Sequence, residues 1–163
     1  MLMLAYDHAA GDNNALDSSA LPTDPTGGYS HRYLDGLGFT VNEVRFYCET
    51  SNLGGRKIHF KTTNADVRNV ALTGNLQTPS NQITWWTDPG ETTSYADASS
   101  LSPAGLPFGT DNVDRRNDGG FTEFPFFRGS AYHWGIRGRG NRWECNDYAL
   151  NPNFDTLHQV WIR

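Results

Sequence analysis

The sequence predicts an all-β fold, a single antiparallel β-sandwich of jelly-roll type with long polar loops. Three observations carry this. Aromatic residues make up 13% of the chain and glycine contributes 17 of its 163 residues, while charged residues stop at 19%. Large rings and turn formers with little Lys or Glu favour strands over helices. Roughly eight short segments alternate apolar and polar residues, with turn signals between most of them. No helical period of convincing length and no repeat interrupts them, and a parallel design, which needs crossover helices, is excluded.

A chain of this length fits one domain, 1–163, able to bury roughly 70% of the surface its unfolded form exposes. Met1 to Tyr6 reads as a short apolar strand. Asp7 to Gly38 follows as a polar arm rich in Asp, Asn, Ser, Pro and Gly, so that residues 1–38 form an N-terminal arm and 39–163 the sandwich core. Such an arm is disordered by itself and orders only against a packing partner, either the domain's own surface or a neighbouring copy. Phe39 to Thr50 is the first strong strand, with Val44, Phe46 and Cys48 facing inward and Arg45, Tyr47 and Glu49 outward. A turn at Asn52-Leu53-Gly54-Gly55 returns the chain along Arg56 to Thr63, a hairpin partner.

Val67 to Thr73 and Gln82 to Thr87 read as two further strands. The second contains Trp85 and Trp86, whose adjacency sends them to opposite faces. From Asp88 to Gly120 all periodicity is lost, and a connection this long implies a functional loop. Its oxygen-rich end, with Asp111, Asp114 and Asp118, supplies weak calcium candidates, although the spacing fails the EF-hand pattern. Phe121 to Phe127 carries Pro125 among four phenylalanines, which predicts an edge strand or a bulge. Ala131 to Arg137 and Arg142 to Tyr148 form a hairpin about Gly138-Arg139-Gly140-Asn141, and Leu157 to Arg163 closes the chain with Val160 and Ile162 on one face and Trp161 on the other.

Composition narrows the function. The net charge of -5 and pI near 5.4 argue against nucleic acid as a partner, since phosphate neutralisation needs a dense basic face. No apolar run approaches the ~20 residues of a membrane span. The start lacks the basic and apolar regions of a signal peptide, so the expected extracellular or virion-surface location requires a signal removed beforehand or another route out. Cys48 and Cys145 permit one bridge. Two buried thiols acting as small hydrophobes are the alternative.

Catalytic signatures are missing. Ser130 lacks the flanking glycines of a nucleophile elbow. His8, His31, His59, His133 and His158 show no metal-ligand spacing, so no metal or other cofactor is expected. Glu123, Glu144 and Asp147 are acids near aromatics, which any small protein offers, and they leave a polysaccharide-active hydrolase as a remote alternative.

Sugar binding has better physical support, because a sugar's C–H face stacks on an exposed ring while its hydroxyls need planar donors and acceptors. The hairpin supplies Tyr132, His133, Trp134, Arg137, Arg139, Arg142, Glu144 and Asn146. Alternation sets Tyr132 with Trp134, and Arg142 with Glu144 and Asn146, apart from Trp143 and Cys145. Two placements satisfy this pattern: Trp134 outward as a platform, or Trp134 in the core with Trp86 or Trp161 as the stacking ring instead. The expected function is a non-catalytic, lectin-like or receptor-binding module with a glycan or cell-surface ligand, forming a homo-oligomer. A structural subunit of a virion, fibre or filament is the alternative, because ordered arms, aromatic edges and Trp, Tyr and Arg also build subunit interfaces.

Overall fold

Apolar residues at every second position can be buried together only if the backbone is extended over a core. The computed structural model of the chain describes residues 1–9, 17, 19–50, 57–63, 65–74, 82–84, 110–114, 126–128, 133–138, 142–145, 149–150 and 155–163, and among them strands dominate. The first sheet draws on β1 (Leu2–His8), β2 (Tyr29–His31), β3 (Val44–Thr50), β4 (Lys57–Thr62) and β11 (Thr156–Ile162), antiparallel throughout in the order β2-β1-β11-β3-β4. The second joins β5 (Gln82–Thr84), β6 (Thr110–Asp114), β7 (Phe126–Arg128), β8 (His133–Gly138), β9 (Arg142–Cys145) and β10 (Ala149–Leu150), each strand beside its neighbour in sequence.

The inner face of the first sheet follows from its register. Leu4 pairs with Val160 and Val160 with Phe46, while Tyr6 pairs with His158 and His158 with Cys48. All six are fully buried. A covalent bond and a hydrogen bond tie the second sheet to the first. Cys48 is bonded to Cys145 across a sequence separation of 97, and Trp134 of β8 donates its Nε1–H to the Tyr47 carbonyl at 2.9 Å. The Trp134 ring stands edge-on to Phe46 and to His158, with centroids 5.2 and 5.3 Å away. Such pairs add about 1 kcal/mol each beyond the burial of the rings.

The structure departs from expectation in three places. Residues 67–73, expected to be a strand, lie in helix α1 (Ala65–Thr73). Val67, Val70 and Ala71 recur at i, i+3 and i+4, a period that the β-branched valines disguise. The helix ends at Gly74, whose φ of 72° is the left-handed conformation of a helix C-terminus, and a Cβ there would lie 2.8 Å from the Tyr33 ring. Within the expected loop 88–120, residues Thr110–Asp114 form β6, paired on both sides by β5 and β7. β7 is an interior strand rather than an edge. It begins at Phe126, the residue after Pro125, so the described strand takes no ladder bond from the proline.

The arm finds a partner in its own domain, one of the two expected for it. Its described residues are bonded to their own chain: β2 pairs with β1, the Asp7 amide donates to the Gly28 carbonyl at 2.9 Å, and Leu34 N donates to Leu72 O at 2.8 Å. Leu34 and Val41 are buried. Asp24 takes hydrogen bonds from both the amide and the hydroxyl of Thr26, which sets the local turn, and those bonds lower its pKa.

Candidate functional site

The hairpin divides the residues expected to bind ligand. Trp134 is fully buried and hydrogen-bonded between the sheets, so its outward placement is corrected: it is a core anchor and no ligand can stack on it. Trp134 pairs in register with Cys145, and the disulfide holds that pair against the first sheet. His133 and Arg137 lie on β8, and Arg142 and Glu144 on β9, with Glu144 opposite Gly135. Tyr132, Arg139, Asn146 and Trp86 lie outside the described residues, as does Asp118. Asp111 and Asp114 fall in β6, opposite Ile83 and Phe126, where the backbone is extended and paired instead of curled around an ion.

The other face of the first sheet is what the fold leaves open. Three rows cross it. Trp161 pairs with Arg45, Gln159 lies between Ala5 and Tyr47, and Leu157 lies between Asp7 and Glu49. Arg45 and Asp7 are exposed, and Tyr47, Glu49, Leu157 and Trp161 are half-buried. Two hydrogen bonds fix the rings on this face: the Tyr47 hydroxyl donates to Glu49 Oε2 at 2.7 Å, and Trp161 Nε1–H donates to Gln159 Oε1 at 2.9 Å. Gln159 is anchored in turn by donating to the Pro25 carbonyl at 2.6 Å. The arm therefore orients a side chain that orients Trp161.

Past Tyr47, where the strands end, the face opens into a cleft of about 350 Å³ lined by Asp7, Thr26, Glu49, Thr50, Asp155, Thr156 and Leu157. A smaller hollow of about 230 Å³ lies beside Trp161, between Met1, Glu43, Arg45 and Arg163. Carboxylates from three strand ends meet in the larger cleft. Loss of hydration raises the pKa of Asp7, the Asp155 and Asp24 carboxylates raise it further, and His8 opposes them. Thr156, only 2% exposed, pairs with the buried His8 and Thr50, so its side chain belongs to the inner face behind this cleft. A carboxylate-lined cleft with hydroxyls and a neighbouring ring can accept hydrogen bonds from a polyol while stacking on its apolar face.

No family model, no curated protein and no solved structure matches the chain. The reading of the site therefore rests on its own geometry. Among the described residues, no group of three or more His, Cys, Asp or Glu is arranged to hold a metal ion. No helix among them is long and apolar enough to cross a membrane.

Asp7, Tyr47, Glu49 and Asp155 were not among the expected site residues. The signal for two of them was present, since alternation along 44–50 sends Tyr47 and Glu49 outward together. Asp7 and Asp155 carry no such signal, because only the pairing of β1 with β11 brings them together.

Proposed function

We propose that the chain is a non-catalytic binding module for a carbohydrate or cell-surface ligand, and that the outer face of the first sheet is its platform. One observation carries the reading. Tyr47 and Trp161 are held by hydrogen bonds on the one face of this sheet that keeps contact with solvent, beside Arg45 and the carboxylate cleft. Arg142 and Glu144 on β9, with His133 and Arg137 on β8, remain the candidate contacts of a second patch on the hairpin, while the expected contacts Tyr132, Arg139, Asn146 and Trp86 lie outside the described residues. Calcium is not required by this reading.

The disulfide suits an extracellular or virion-surface setting, because such bonds persist where thiols are not kept reduced. The sandwich form is supported by the bond and the Trp134 contact between the two sheets. Its jelly-roll refinement draws no support from the strand order, since β5 to β10 follow one another within one sheet rather than alternating between two. A structural subunit of an assembly is the second reading, and a homo-oligomer belongs to both. It is favoured by Met1, Leu37 and Phe39, large apolar residues that are 43 to 53% exposed.

A glycan array probed with wild-type protein and with Trp161→Ala tests the first reading. Wild type is expected to retain a defined set of glycans, and the variant to lose affinity about ten-fold, which corresponds to ~1.4 kcal/mol. Failure of correctly folded wild type to bind any glycan would reject the reading. A hydrolase would instead release reducing ends from the bound polysaccharide.

A further inference from the structure

Along β11 and the residues flanking it, alternation sends Asp155, Leu157, Gln159, Trp161 and Arg163 to the outer face, and along β3 it sends Glu49, Tyr47 and Arg45 there. Gln159 pairs in register with Tyr47, and this row is the midpoint of both series. Acids lie on one side of it and arginines on the other. Glu49 and Leu157 share the row on the acidic side and Arg45 and Trp161 the row on the basic side, each about 7 Å from the midpoint. Asp155 and Arg163 stand at equal distances beyond. The face is therefore antisymmetric in charge about Tyr47 and Gln159, with one apolar residue on either side.

This part of the face is open. On the β1 side the arm covers it, since Gln159 donates to the Pro25 carbonyl and Ala5, beside Gln159, is fully buried. On the β3 side Arg45 is exposed, and Tyr47, Glu49, Leu157 and Trp161 keep contact with solvent. The Arg163 side chain is 79% exposed even though it is bonded to Glu43 at 3.0 Å. Both ends are hollow as well, the acidic end at the cleft of about 350 Å³ and the basic end at the hollow of about 230 Å³ beside Trp161. Each end thus has room for side chains of the kind that the other end carries.

We infer that the occupant of this face is a second copy of the chain, joined through β3 and β11 about a two-fold axis that lies along the Tyr47 and Gln159 row. Such an axis reverses the strands and sets the same patch on itself, as an isologous interface requires. It carries Arg45 over Glu49, Arg163 over Asp155 and Trp161 over Leu157 of the other copy, each contact made twice. Sheets packed face to face lie about 10 Å apart, a gap that an arginine from one side and a carboxylate from the other close together. A two-fold axis along the strands instead stacks arginine on arginine and acid on acid, which like-charge repulsion opposes. Lys57 and Lys61 stand opposite Glu49 and Arg45 on the edge strand β4, and the proposed axis brings those two positions over each other, so the contact is confined to β3 and β11. The pairing goes beyond the carbohydrate reading and rests only on the openness of the same face. It covers Tyr47 and Trp161, so a second copy and a glycan compete for them.

Sedimentation velocity of the whole chain over a range of concentrations, at low and high salt, tests the pairing. A reversible monomer–dimer equilibrium is expected, with the dimer weakening as salt rises. Arg45→Glu and Glu49→Arg are each expected to weaken self-association about ten-fold or more, because each places like charges across the axis. An equimolar mixture of the two variants is expected to recover the dimer, since one copy then carries acids at both positions and the other arginines. Recovery also shows that both variants are folded. Should Glu49→Arg fail to fold, Arg163→Asp mixed with Asp155→Arg makes the same comparison at the ends of β11. A wild-type chain that stays monomeric at every concentration overturns the inference. A dimer indifferent to both substitutions overturns it too, as does a mixture of folded variants that stays monomeric. All three leave the carbohydrate reading standing, because the glycan array judges that reading separately.

Discussion

On the inner face of the first sheet, Val44, Phe46, Cys48, His158 and Val160 are buried, with Phe46 and His158 against Trp134 and Cys48 in the disulfide, whereas one residue away along the same strands Arg45, Tyr47, Glu49, Leu157 and Trp161 keep contact with solvent. The backbone is shared, so the difference comes from what covers each face. Inside, chemistry is constrained by volume, and even His158 serves as a ring packed against a ring. Outside, polar side chains bond to each other in pairs, Tyr47 to Glu49 and Trp161 to Gln159, and can exchange those bonds for a ligand's. A sheet of this kind can change its ligand without repacking its core.

The contrast is most directly broken at the disulfide. Cys145→Ser opens a loop of 97 residues' separation, which the chain-entropy account values at up to ~4–5 kcal/mol. Thermal unfolding should fall by roughly 10 °C. No shift in melting would mean that the bond does not secure the inner face.

A pair of tryptophan variants separates the two faces with one substitution. Trp134→Ala should cost about 3–5 kcal/mol, the usual loss for a fully buried indole. Trp161→Ala should cost less than ~1 kcal/mol while still weakening glycan binding, since its half-buried ring leaves no closed cavity behind. Equal losses of stability would show that the outer face is also core. Trp134 and Cys145 are neighbours in register, so their combined loss should fall short of the sum.

The smallest effect concerns pH. Asp7 holds its proton more tightly in the fold than in the unfolded chain, because burial and Asp155 disfavour its charge. Its favourable contribution is therefore complete below the ordinary value of 3.8 and is lost as the pH rises through the higher folded value. Asp7→Asn should raise the melting temperature at neutral pH by about 1 °C, and that gain should vanish as the pH is lowered toward the ordinary value. A gain that persists in acid would assign the effect to something other than charge.

Alternation made the first sheet and the hairpin legible. Val44, Phe46 and Cys48 point one way because strands have a period of two, and the bridge to Cys145 follows once both residues face inward. The same rule could not say which of Trp134 and Trp161 is covered. That depends on where the second sheet lies, and the contact that decides it joins residues 87 apart, Trp134 and Tyr47. α1 was missed because Val67 and Val70 satisfy a helical spacing with side chains that favour strands. β6 was missed because Val113 is the single large apolar residue in Thr110–Asp114, and its extended form comes from pairing with β5 and β7 rather than from its own pattern. The cleft was the least legible feature, since Asp7 and Asp155 become neighbours only when β1 and β11 pair.

That pairing also sets an order of events. β1 hydrogen-bonds to β2 and β11, and β11 lies between β1 and β3, so residues 2–8 and 44–50 cannot be joined into one sheet until 156–162 arrive. The second sheet needs only neighbours in sequence. During synthesis its local hairpins can close early, whereas the first sheet relies on the long-range pairings β1–β11 and β3–β11 and must wait for β11 to emerge. Until then the apolar strands β1 and β3 lack the partner that joins them, which makes the interval before β11 appears the one in which this chain is most exposed to aggregation.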